Sequence, residues 1–172
     1  MNKAKRAPSR AKKHAQVENL SIFGTFARMG PLGLHMYAAD FLLVAKAAAP
    51  PQVPFAPART YLACRALELV LKAFLSLKGQ PLEQLAGGEY GHDLEKLLDA
   101  AIQQGLLDVV AIAEDQLNEI RRASTYYAEK VFEYPALGEA LSGYPHNPAI
   151  EPLLEAGSAM VVALEVPCRD AK

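Results

Sequence analysis

Between Ala58 and Gly79 the chain reads ARTYLACRALELVLKAFLSLKG, and this stretch constrains the fold more than any other. Wound at the α-helical period of about 100° per residue, it spreads Leu62, Cys64, Ala66, Leu67, Leu69, Val70, Leu71, Ala73, Phe74 and Leu77 over well more than half of the circumference. Arg65, Glu68, Lys72 and Ser76 gather in one stripe of roughly 80°. A surface helix buries one apolar face, whereas a helix apolar nearly all round is packed by neighbours on several sides. The stretch is therefore expected to be a central helix, with Gly79 as its stop and Lys78 at the negative end of its dipole. Its polar stripe either faces water or lines a cleft.

The flanking sequence supplies the neighbours. Leu34, Tyr37, Ala38, Phe41, Val44, Ala45 and Ala48 recur at helical spacing, which predicts an amphipathic helix over Leu34–Ala49. It follows a break at Gly30-Pro31-Leu32-Gly33 and ends against Pro50 and Pro51. The connector with prolines at 50, 51, 54 and 57 reads as a stiff extended link. Past Gly79 a loop with a single turn at Leu82–Leu85 leads to a third helix over His92–Gln104, stopped by Gly105. Asp93 and Glu95 stand in its first turn, where negative charge suits the exposed N–H groups. A fourth helix is expected over Glu114–Phe132. It sets Leu117, Ile120, Ala123, Ser124, Tyr127, Ala128 and Val131 on an inner face, Glu119, Arg122, Tyr126 and Glu129 on the outer one, and Arg121 on the margin. Glu133–Pro148 reads as a long loop, and a last helix runs from near Asn147 or Glu151 to about Val166. Residues 14–30 suggest a short helix or an arm lying on the bundle. No alternating run supports a strand. The fold class expected is all-α, an up-and-down bundle of about five helices, with residues 14–168 as its single domain.

Charge divides the chain. Residues 1–13 hold six basic residues and no acidic one; the other 12 basic residues face 19 acidic ones, a net −7 for the body. So acidic a body is a poor generic nucleic-acid surface, since phosphate binding needs clustered positive charge. The basic tail reads as a disordered, solubilising terminus. No apolar run reaches the ~18 residues of a membrane span. Cys64 and Cys168 lie far apart without metal spacing, and Cys64, among the apolar residues of the central helix, reads as a reduced, buried thiol, in line with a cytoplasmic setting. His14, His35 and His146 are scattered, so neither a metal site nor another cofactor is expected.

Three pieces carry a family likeness: the Glu68-x-x-x-Lys72 turn before Gly79, the start His92-Asp93-Leu94 within YGHDLEKLLDAA, and the Arg-then-Tyr pattern of LNEIRRASTYYAEKVFEYP. Together, over roughly Leu34 to Pro135, they resemble the HEPN superfamily of small helical bundles. The resemblance implies an up-and-down bundle that pairs as a homodimer. Many members cleave RNA, often as toxins of toxin–antitoxin pairs beside a nucleotidyltransferase partner; others bind nucleotides or serve as non-catalytic partners. The ribonuclease members place a His about four to six residues after an Arg on one helix. Here Tyr126 and Tyr127 stand five residues after Arg121 and Arg122, and that helix holds no His. A Tyr with a pKa of about 10 exchanges protons poorly near neutral pH. The likeness therefore implies a non-catalytic module that binds a nucleotide, RNA or a protein partner. The alternative is an RNA-cleaving enzyme with a non-standard site.

The ligand-binding candidates are Arg65, Glu68, Lys72, His92, Asp93, Arg121, Arg122 and Tyr126. Arg65, Glu68 and Lys72 form either a solvent-facing strip of ion pairs, worth ~0.2–0.5 kcal/mol each, or a cleft wall on which Arg65 and Lys72 hold an anion such as phosphate and Glu68 orients them. His92 is either a structural histidine bonding back to the central helix or an acid/base that needs a nearby partner. Arg122 and Tyr126, one turn apart, could meet a ligand, a second subunit or only water.

Overall fold

A computed structural model of the chain describes residues 30–48, 56–87, 90–134, 137–144 and 146–171. The basic tail, residues 14–29 of the segment expected to be a short helix or an arm, and most of the proline connector lie outside these described residues. In chain order the helices are α1 (Pro31–Ala47), α2 (Pro57–Leu77), α3 (Leu82–Ala86), α4 (Leu94–Gln103), α5 (Glu114–Ala128), α6 (Leu137–Ser142) and α7 (Ile150–Asp170), with a 3₁₀ turn at Leu106–Asp108. Among the described residues there is no strand, and the chain is an all-helical bundle. None of the described helices is long and apolar enough to cross a membrane.

α2 is the central rod. Every residue from Ala66 to Leu75 is buried, and the helix packs against α1, α4, α5 and α7. Leu67, Leu71, Phe74 and Leu75 rank among the largest fully buried side chains. Each contributes about 1.5–3 kcal/mol relative to exposure. At its end Gly79 takes φ +90°, and the Gln80 N–H reaches back 3.0 Å to the Leu75 carbonyl. A left-handed residue and that backward bond close a helix end.

The partners fix the directions. Arg59 Nε donates to the Ala45 carbonyl at 3.0 Å, and His35 Nε2 lies 2.7 Å from the Val161 carbonyl. The start of α2 thus meets the end of α1, and α7 runs antiparallel to α1. Gly157 permits the close approach of α7, since a Cβ there would stand 3.2 Å from Leu42 and 3.7 Å from Leu67. α4 and α5 are antiparallel, joined by Arg121–Asp99 at 3.0 Å and by the Ser124 hydroxyl, which accepts from the Glu95 N–H and donates to Asp93.

Four sequence expectations are corrected. Gly30–Gly33 is not a break: α1 begins at Pro31, because a first-turn proline lacks only an N–H that would go unused there. α5 stops at Ala128 and not at Phe132. Lys130 turns left-handed at φ +60°, and the Val131 N–H bonds the Tyr126 carbonyl at 2.9 Å, folding Phe132 back onto the helix. The segment Glu133–Pro148 is not wholly loop, for α6 occupies Leu137–Ser142. α7 also continues through Pro167 to Asp170, further than Val166.

Candidate functional site

The polar stripe of α2 does not face water. Glu68 is 1 % exposed and Lys72 5 %. Both belong to one cluster built around the Glu68 carboxylate. Lys72 Nζ donates to Oε1 at 2.6 Å and also to the Gly91 carbonyl at 2.7 Å. Oε2 accepts from Arg65 at 2.8 Å and from the Tyr127 hydroxyl at 2.5 Å, and His92 Nδ1 lies 3.1 Å from it. Spacing on α2 brings Arg65, Glu68 and Lys72 together, being three and four residues apart. The turn before α4 delivers Gly91 and His92, and α5 delivers Tyr127, whose ring meets His92 edge-on with centroids 5.8 Å apart.

The electrostatics follow from this packing. Burial alone would raise the Glu68 pKa. The hydrogen bonds from Lys72 and Tyr127 and the charges of Lys72 and Arg65 outweigh it, so the carboxyl stays below its ordinary value and ionised. Burial and the adjacent Glu68 push the Tyr127 hydroxyl upward, which keeps its proton on the oxygen as donor. Burial lowers the Arg65 pKa, but Glu68 and the Tyr127 hydroxyl more than reverse this. Two cations against one carboxylate leave the cluster with one positive charge in surplus.

This cluster forms one side of a cleft of about 300 Å³ between α1, α2, α3 and His92. The remaining candidates lie elsewhere. Asp93 caps α4, accepting from the Lys96 N–H at 3.1 Å. Arg121 is held by Asp99, and Arg122 by Glu119 at 3.2 Å. Tyr126 is not on an outer face: it is 6 % exposed and stacked on Phe132 at 5.8 Å, because the chain beyond Lys130 folds over it. Arg122 and Tyr126 do share a second cleft of about 580 Å³ with Thr125, Glu129, Val131, Gly138 and His146. This cleft is larger, but its described residues gather no charge cluster; its Arg122 is 55 % exposed on the side chain and already paired with Glu119. The buried cluster is therefore the better candidate. Among the described residues no three His, Cys, Asp or Glu side chains gather as metal ligands. Cys64 and Cys168 are buried free thiols, and burial pushes Cys168 up to about 11.

Sequence reading missed Tyr127 as a member of this cluster. Its signal was present, since a tyrosine on the inner face of a helix must find a partner for its hydroxyl. No family model, curated protein or solved structure matches the chain.

Proposed function

We propose that the chain is a HEPN-like, non-catalytic binding module that works as a homodimer and holds an anionic group in the Arg65–Glu68–Lys72–His92 cleft. One observation carries the reading: a buried carboxylate with both oxygens engaged by Lys72, Arg65 and Tyr127 sits among more positive charge than it neutralises. Glu68, ionised and fully bonded, and Tyr127, held protonated, are poorly suited to exchange protons, so the site suits binding over turnover. An anionic head group, a phosphate or a carboxylate, fits the surplus charge. Calorimetric titration of the purified chain with adenosine monophosphate and with inorganic phosphate tests the anion site. Saturable binding that Arg65→Gln weakens supports it; no binding of any anion refutes it.

A second reading, an RNA-cleaving enzyme with a non-standard site and a nucleotidyltransferase neighbour, draws on two features. His92 Nδ1 lies against Glu68, the arrangement that orients a histidine for acid/base work, and His146 shares the larger cleft with Arg122. On the favoured reading the purified chain leaves a mixed RNA substrate intact. Cleavage abolished by His92→Ala or Arg122→Ala would install the second reading in its place.

The homodimer rests on α1. Met36, Tyr37, Leu43 and Val44 are all large, apolar and at least 49 % exposed, with Asp40 on the same outward arc. Positions 36 and 43, and 37 and 44, recur at the seven-residue period of a helix–helix seam. Light scattering is expected to give twice the 18.6 kDa chain mass and Leu43→Glu to give one chain mass. A native chain that stays monomeric at high concentration removes this part of the reading.

A further inference from the structure

Resting on the anion-site reading, we infer that the ligand of the smaller cleft is an aliphatic carboxylic acid: an anionic head on the Arg65 side and a hydrocarbon body against leucine. Away from the charged cluster the cleft is walled by Leu34 of α1, Leu69 of α2, and Leu82 and Leu85 of α3, with Ala86. Those side chains carry no hydrogen-bonding group. A nucleobase or sugar seated there would lose its water and gain no partner among these described side chains, and each such unpaired group costs binding. A hydrocarbon loses nothing polar and gains the burial of each methylene.

The head has a defined seat. Lys72 spends two of its three N–H donors on Glu68 and Gly91. Arg65 is the more open cation, its side chain 29 % exposed, and it lines the cleft as Glu68 holds its Nη1. A guanidinium presents five donors in a planar fork, which matches the two oxygens of a carboxylate. One bound carboxylate neutralises the one surplus positive charge. His92, half exposed at the same wall, adds a second polar contact at the head. The volume of about 300 Å³ stands at the small end for ligand pockets, which run from about 300 to 1,000 Å³. It suits a short hydrocarbon better than a base, sugar and phosphate together.

The test is calorimetric titration of the full chain with butyrate, hexanoate and octanoate, beside adenosine monophosphate and inorganic phosphate. Expected are one site per chain, affinity rising about two- to fourfold with each added methylene, and at least a tenfold loss with Arg65→Gln. Leu82→Asn, at the half-buried rim, is expected to weaken octanoate at least fivefold and to leave phosphate unchanged. It stands in for Arg65→Gln if that variant fails to fold, as read by circular dichroism. Adenosine monophosphate or phosphate binding at least as tightly as octanoate, with no effect of Leu82→Asn, overturns the carboxylic acid and spares the anion site. Octanoate binding that ignores Arg65→Gln in a folded variant overturns the seat of the head. Silence from all five titrants overturns both readings.

Discussion

Replacing Glu68 with Ala lowers the unfolding free energy by about 3–5 kcal/mol, the cost of removing one partner from a buried ion pair. The reason lies with what stays behind. Lys72 is 5 % exposed and would keep only the Gly91 carbonyl, while Arg65 and the Tyr127 hydroxyl would lose their acceptor. An unpaired buried charge costs more than the pair contributed. At about 2–4 °C per kcal/mol for a chain of this size, the melting midpoint should drop by at least about 6 °C. Chemical denaturation checks the magnitude; a loss under 1 kcal/mol would mean that the cluster is open to water. The pH dependence has a definite sign. The folded Glu68 pKa lies below the unfolded value of about 4.3. Its stabilisation is therefore complete above that unfolded value and is lost as pH falls through the folded one. Native protein should lose stability on acidification below pH ~4 more steeply than Glu68→Gln does, because the variant has no proton to take up there.

Leu67→Ala is expected to cost about 2–5 kcal/mol. Leu67 is completely buried, and its Cδ2 lies 3.7 Å from where a Cβ on Gly157 would stand, so α2, α7 and Leu42 of α1 all border the space it fills. Three helices held by other contacts collapse only partly into the void, which is what makes a core deletion expensive. Leu141→Ala is the control. That side chain is 80 % exposed, and its loss should stay within about 0.5 kcal/mol. Equal effects of the two substitutions would mean that α2 is not the packed centre.

The architecture was legible in the sequence wherever it depends on near neighbours. The wheel of α2 placed apolar residues on most of its surface, and burial from Ala66 to Leu75 follows from that pattern. Asp93 stood near a helix start by residue type, although the structure makes it the N-cap and not a first-turn residue. Errors fell where the chain turns back on itself or another segment covers a face. Tyr126 went to the outer face because the wheel cannot show that Phe132 returns to cover it. α5 ran too long on paper because nothing in residue type announces Lys130 in a left-handed conformation, which glycine and asparagine more often adopt. The outer or inner fate of Glu68 stayed open for the same reason. Spacing alone gives its pairing with Arg65 and Lys72, but not what covers the pair.

The sequence by itself therefore determined the longer helices, most of their approximate ends and the choice of α2 as the inner rod, but not the short α6. Backbone hydrogen bonds four residues apart and a 3.6-residue period are local, and each is written in a few consecutive side chains. Only the tertiary structure decided that the stripe of α2 is a buried charge cluster. Gly91, His92 and Tyr127 reach Lys72 and Glu68 from 19, 24 and 59 residues away, and that meeting depends on how three helices pack. Exclusion of water by those arrivals turns a weak surface ion pair into a tightly held carboxylate, since the same charges interact far more strongly where water cannot reach.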